Sequence, residues 1–448
     1  MFQVLRNAWK ITDLRKKILF TLFIVLIFRI GSAITVPFVD VDNLTKAVAA
    51  VTAGNEANFM DYLTMISGGG FSSASIFALS ITPYINASII IQLLTVAIPA
   101  LERLAKEGEA GRKVLGKITR FVTVGLGLML GVAYYFMLRN NANYSSMNVL
   151  VKEAQSGFGA WFAAIVIVLC FVAGSALIMW LGEQVNEKGI GNGISILLFA
   201  GILSGIPDAA RTLWNWFYVA GIAQLNNNPA AIKNVILVPI VLVIFLAMIG
   251  FIVFMGDAER RIPIQYAKRV VGRKMYGGQS TYIPIKVNMS GVMPIILASS
   301  IVSLPSILAS FFNWDSNWFL DAFKQDSWVY ILLYFVMIIG FAFFYVTIQY
   351  NPTEMANNLR KNSGAIPGYR PGKPTTDYIK RVLNKVTLIG ALFLGIIALF
   401  PSLFGKFSGF YGLTLGGTSI MIVVGVALET TQQIESQMMM RHYKGFLE

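Results

Sequence analysis

Long apolar runs recur along the whole chain, separated by shorter polar stretches, and they show no alternation of apolar with polar positions. Ten of them, near residues 18–36, 74–98, 119–138, 160–181, 190–206, 235–255, 290–312, 328–350, 386–404 and 413–431, approach the roughly 20 apolar residues that carry an α-helix across a bilayer. A membrane barrel would alternate its residues in segments of about ten, and the isoleucine and valine runs here do not. The pattern predicts an all-α polytopic membrane protein of ten spans. Composition acts mainly to exclude alternatives. Only 13% of the residues are charged and 56% are hydrophobic, about half the charge of an average soluble protein. Disordered chains are polar and poor in aromatics, so disorder is excluded too. A single cysteine, Cys170, rules out an internal disulfide and a Cys-rich metal site. One histidine, His442, removes His-based metal cages and most general-base chemistry.

Charge sets the orientation. The N-terminal segment, the even-numbered connections and the C-terminal tail hold 28 of the 36 Lys and Arg residues. The odd-numbered connections hold seven, and Arg29 falls inside the first span. Lys- and Arg-rich loops stay in the cytoplasm, so both termini are expected there. The chain then divides into a basic amphipathic N-terminus over 1–17, which does not read as a cleaved signal peptide, and a first half over 18–206. An external connection (207–234), a second half (235–431) and a cytoplasmic tail (432–448) follow. Five spans per half invert one half relative to the other, the repeat arrangement of many transporters.

Three features interrupt the plain spans. Asn58–Ser73 is too short and glycine-rich to cross, and its triplet Gly68–Gly70 is a flexible hinge. It reads either as an external loop or as a re-entrant piece, tolerable at membrane depth only inside protein or a wet cavity. The fifth span opens on a glycine cluster, Gly189–Gly193. The loops at about 256–287 and 351–385 are long, basic and rich in turn formers, so they should project into the cytoplasm.

Chemistry is scarce. There is no phosphate-binding G-x-x-x-x-G-K-[ST] and no H-E-x-x-H. Glu183 and Glu187 stand four apart beside Lys188, as at a cytoplasmic helix end. Ion-coupled carriers place ionisable groups deep in their spans; only Arg29 is so placed, and pairing with a neighbouring carbonyl or polar group is its expected role. What remains is aliphatic residues at helical spacing beside backbone breaks: Ile81 and Ile85 around Pro83, Ile194 and Leu198 after the glycine cluster, and Ile296 after Pro294. Spacing alone assigns these to packing.

Five long stretches carry a resemblance. FALSITPYINASIIIQLL (Phe77–Leu94), GEQVNEKGIGNGISILLFAGI (Gly182–Ile202), AKRVVGRKMYGGQSTYIPIKVNMSGVMP (Ala267–Pro294), YNPTEMANNLRKNSGAIPGYRPG (Tyr350–Gly372) and GGTSIMIVV (Gly416–Val424) resemble the SecY family of protein-conducting channels, over essentially the whole chain and in order. The resemblance implies a clamshell of two inverted five-helix halves around an hourglass pore in the bacterial plasma membrane. Its waist would be closed by Ile81, Ile85, Ile194, Leu198, Ile296 and Ile422. Leu198 stands where isoleucine is commoner, a nearly volume-conserving change. A short plug helix at about 59–73 would fill the outer funnel, with Phe59, Met60, Tyr62, Leu63, Met65, Ile66, Gly68, Gly69, Gly70 and Phe71.

The same resemblance implies a lateral gate between spans 2–3 and 7–8, with Gln92, Thr123, Ser299 and Ser300 as polar gate residues. Lys268, Arg269, Arg273 and Lys274 in one loop and Arg370 in the other would dock the SecA motor or the ribosome. Implied partners are SecE and SecG, SecA, the ribosome, signal sequences and translocating polypeptides, and membrane lipid. No cofactor, metal or catalytic residue is implied. The competing reading is a secondary transporter of a small solute, which would be expected to have a polar midplane site with embedded charges.

Overall fold

The computed structural model describes residues 2–52, 64, 67–140, 149–151, 157–219, 221–222, 231–266, 269–271, 274–276, 280–312, 322–323, 327–408 and 417–444. In the first half these form α1 (Phe2–Lys10), α2 (Thr12–Ala33), α3 (Val41–Thr52), α4 (Thr82–Ala97), α5 (Pro99–Lys106), α6 (Glu109–Asn140), α7 (Gly157–Lys188), α8 (Gly193–Ser204) and α9 (Ile206–Trp214). In the second half they form α10 (Ala231–Asp257), α11 (Met293–Phe312), α12 (Trp328–Gln349), α13 (Pro352–Lys361), α14 (Lys373–Ser408) and α15 (Gly417–Lys444).

Among the described residues, six helical stretches are long and apolar enough to cross a membrane: Glu109–Arg139, Gly157–Lys188, Gly193–Val219, Val235–Asp257, Trp328–Lys361 and Lys373–Phe404. The pair α4 and α5, bent by 103°, makes a seventh if counted as one span. The other expected spans fall in α2, α11 and α15. Asp13, Arg15, Lys16, Lys17 and Arg29 dilute α2, α11 offers the ten-residue apolar stretch Met293–Val302, and α15 turns polar from Glu429 onward.

Local chemistry explains where helices start and stop. The second apolar run begins near residue 74, but α4 begins only at Thr82, and residues 67–81 form successive turns. Pro83 sits in the first turn of α4, where its missing N–H costs nothing, and Ser80 just before it has φ of +50°. Pro99 causes the bend at the other end: it opens α5 and holds Ile98 extended at φ −109°, ψ 112°. Between α7 and α8, Asn192 caps Ile194 N–H at 3.1 Å, and Asn186 Oδ1 accepts from Gly193 N–H at 2.8 Å. A Cβ on Gly193 would lie 2.0 Å from the Gly182 carbonyl oxygen, so the two helices cross backbone on backbone only because the residue is glycine.

The helical class holds, with an addition that the all-α expectation lacks. Strand β1 (Glu259–Tyr266) pairs antiparallel with β4 (Ser280–Lys286), from Glu259↔Lys286 to Gln265↔Ser280. Between them, β2 (Arg269–Val271) and β3 (Lys274–Tyr276) form a smaller hairpin. Strand β5 (Gly364–Ala365), from the second long loop, joins the free edge of β1 through Gln265↔Ala365 and Tyr266↔Gly364. The two loops are therefore one lobe. Ile262 and Ile264, two apart on β1, point to the same face and are buried with Ile285, Met289, Leu359, Ile366, Ile379 and Leu383.

Candidate pore, gate and docking lobe

The six aliphatic positions of the expected ring come from four helices of both halves. Ile81 and Ile85 lie at the start of α4, Ile194 and Leu198 on α8, Ile296 on α11 and Ile422 on α15. All six belong to one apolar cluster, in which Ile81, Ile85, Leu198 and Ile422 are buried and Ile194 and Ile296 are partly buried. Ile24, Phe28, Phe77, Ile178 and Val185 back it. One detail differs from the spacing argument. Ile81 precedes the helix, at φ −88° and ψ 1°, yet its carbonyl accepts from both Tyr84 and Ile85 N–H at 3.1 Å. That single turn brings Ile81 and Ile85 together.

Of the plug residues, Phe59, Met60, Tyr62, Leu63, Met65 and Ile66 lie outside the described residues. The rest of the segment is tied to three helices. Arg29 Nη1 donates to the Gly68 carbonyl at 3.1 Å, the kind of partner expected for this arginine, although the residue itself is exposed. Gly68 has φ of +65°, and a Cβ there would lie 2.8 Å from Ser204 Oγ and 3.2 Å from Gly201 Cα on α8. Gly69 also has positive φ, at +85°, and Gly70 N–H donates to the Ser67 carbonyl. The Phe71 ring stacks on Tyr134 of α6 at 4.4 Å, and the Tyr134 hydroxyl donates to the Phe71 carbonyl.

At the expected gate, α11 packs against both α4 and α6. Thr123 is buried, and its hydroxyl donates to the Thr119 carbonyl at 2.7 Å. Ser299 and Ser300 both donate to the Ile296 carbonyl, at 2.9 and 2.8 Å. Gln92 reaches across the halves: its Oε1 accepts from the Tyr345 hydroxyl of α12 at 2.9 Å. Tyr345 is absent from the sequence reading. The available signal was a tyrosine in an otherwise apolar run, whose hydroxyl needs a partner when buried.

On the lobe, Lys268 and Arg273 lie outside the described residues, while Arg269 and Lys274 sit in β2 and β3. Arg370 is exposed, and its carbonyl accepts from Thr375 Oγ1 at 2.8 Å. Beside it the Tyr369 and Tyr378 rings pack at 4.3 Å. Arg261 Nε donates to Glu259 at 2.6 Å and its guanidinium lies 4.7 Å over the Tyr282 ring; the bond to Glu259 raises its pKa. Glu183 is within α7, paired with Arg120 of α6 at 2.8 Å.

A family model described as SecY matches residues 75–431. The chain belongs to the SecY family. Similar relatives are "Protein translocase subunit SecY" of Streptomyces coelicolor, 44% identical over 452 residues and covering 100% of both chains, and the protein of that name from Mycobacterium tuberculosis H37Rv, 38% identical over 463 residues and also covering 100% of both. Solved structures share the SecY fold at low identity. "The structure of a protein conducting channel" matches with a TM-score of 0.61 at 18% identity, covering 94% of this chain and 92% of that one. "Sec61 in the Canine ribosome-channel complex from the endoplasmic reticulum" matches with a TM-score of 0.57 at 16% identity and the same coverage.

Proposed function

We propose that this chain is the pore-forming subunit of a protein translocase, a channel and not an enzyme. It would pass unfolded secretory polypeptides across the bacterial plasma membrane and release apolar segments sideways into lipid. The observation that carries the reading is the single apolar cluster holding Ile81, Ile85, Ile194, Leu198, Ile296 and Ile422 from four helices of both halves. A dry aliphatic constriction excludes ions by dewetting, while its side chains can deform around a passing chain. A carrier of small solutes would be expected to have a polar site there, and the six side chains at this position are all aliphatic.

In this reading ten spans form two inverted halves of a clamshell with both termini cytoplasmic, and residues 59–73 are the plug. Gln92, Thr123, Ser299 and Ser300, joined by Tyr345, are gate residues. A signal sequence entering between α4 and α11 exchanges pore water for lipid, so the transfer energy of an apolar helix does the sorting. Arg269, Lys274 and Arg370, with Lys268 and Arg273, recruit SecA or the ribosome, whose RNA is an anionic surface for basic loops. SecE and SecG are the expected companion subunits.

Site-specific crosslinking of a stalled secretory chain tests the reading. Probes at Ile85, Leu198, Ile296 and Ile422 should all capture the chain, and probes at the outward-facing Leu246 and Phe254 of α10 should not. Equal capture at both sets would overturn the pore assignment.

A further inference from the structure

Gln432 of α15 stands between the two feet of the β1–β4 ribbon. Its Oε1 accepts a hydrogen bond from Lys286 Nζ at 2.6 Å, where β4 ends. Its Nε2 donates to Asp257 Oδ1 at 3.1 Å, where α10 ends and β1 is about to begin. The ladder fixes these two feet relative to one another: Glu259 pairs with Lys286, and Val287 N–H donates to the Ala258 carbonyl at 2.9 Å. One amide thus answers a cation with its oxygen and an anion with its nitrogen, and the polarity of the bridge fixes its orientation.

The helix at the other side of the bridge is a ring helix. Ile422 lies ten residues before Gln432 on α15, about 15 Å along the axis at 1.5 Å per residue. Packing leaves little slack between the feet and this helix. A Cβ on Gly256 would sit 3.0 Å from Leu428 Cδ1, and one on Gly425 would sit 3.4 Å from Val292 Cγ2. At the far side, β5 welds the second loop, which carries Arg370, to β1. A push on either loop therefore arrives at the same two feet.

We infer that Gln432 is a positioning residue that transmits displacement of the docking lobe to the ring helix α15, through its paired hydrogen bonds to Asp257 and Lys286. The inference rests on the channel reading above. An apolar side chain of similar size would keep the packing but let the feet slide along the helix, because apolar contact has no direction. Docking would persist while its effect on the pore weakened.

The test uses the full translocase in proteoliposomes with SecA, ATP and a preprotein. Gln432→Leu should lower the maximal translocation rate about two- to tenfold, the size expected for a lost hydrogen bond. The SecA concentration giving half the maximal rate should stay within about twofold, since a loss confined to the rate marks a step after binding. Asp257→Asn combined with Gln432→Glu should restore the rate, because the carboxylate introduced on α15 would then accept from both Lys286 and the new amide. A maximal rate for Gln432→Leu equal to wild type would overturn the inference. So would a rise in half-saturating SecA that accounts for the loss, or a double variant no better than the single one. Failure of the wild-type protein to translocate at all would instead remove the channel reading beneath it.

Discussion

Isoleucines meet in different ways in the apolar cluster proposed as the ring and in the β-stranded lobe. In the ring cluster Ile85, Ile296 and Ile422 come from helices of both halves and meet side chain to side chain. In the lobe Ile262, Ile264 and Ile285 lie on strands joined by a backbone ladder, over a core that also takes residues from α13 and α14. The difference lies in the surroundings. Where the faces part toward the bilayer, lipid tails as apolar as leucine replace the lost contacts, so opening on that side carries little hydrophobic penalty. In water each exposed isoleucine costs about 1.5–3 kcal/mol. If the cluster is the proposed pore ring, the same residue type makes a seam that can part toward lipid in one place and a water-facing joint that cannot in the other.

Charging the seam gives the largest expected effect. Ile422→Asp places an unpaired carboxylate at a buried position of the cluster, a change worth about 3–5 kcal/mol in comparable burials. Resting ion conductance in planar bilayers should rise by about tenfold or more through loss of dewetting. Unchanged closed-state conductance would mean that the cluster is ordinary packing.

Next comes the joint. Ile262→Ala, at a fully buried lobe position, should cost about 2–5 kcal/mol and open the lobe to limited proteolysis between 256 and 287. Ile85→Ala should leave that cleavage pattern untouched. Similar patterns for the two variants would erase the distinction drawn between the regions.

Arg370→Glu tests the lobe's outer surface rather than its core. The residue is exposed, so folding should change by no more than about 0.5 kcal/mol. SecA-driven translocation should fall about tenfold or more, as contact-range attraction turns to repulsion inside the ~8 Å screening length. Wild-type rates would leave the arginine with a topological role alone.

The smallest effect belongs to the polar tie across the seam. Tyr345→Phe removes the hydroxyl that Gln92 accepts from and should favour gate opening by about 0.6 kcal/mol, roughly threefold. It would be read as a higher yield of lateral crosslinks from a weak signal sequence. A lower yield would show that the bond stabilises the open gate instead.

Much of the seam was legible in the sequence and little of the joint was. Ile194 and Leu198 are one turn apart beside a glycine cluster, and matched motifs placed their partners on other helices. Alternation in Arg261–Gln265 (RIPIQ) carries a two-residue period, but it spans only five residues of a loop dominated by charge and turn formers. Strand β5 is two residues long and has no local signature; its pairing is wholly tertiary. Gln432 and Tyr345 escaped for the same reason, since each matters through a residue more than a hundred positions away. The late start of α4 turns on Ser80 and Pro83, whose local geometry overrides an apolar run that continues through them.

The apolar cluster proposed as the ring is shared between halves that are made at different times. Leu198 leaves the ribosome roughly 220 residues before Ile422, an interval of about 10–45 seconds at 5–20 residues per second. During that interval the first-half residues Ile81, Ile85, Ile194 and Leu198 have no second-half surface to close against. In the proposed reading, a newborn channel therefore lacks half of its closure until α15 arrives.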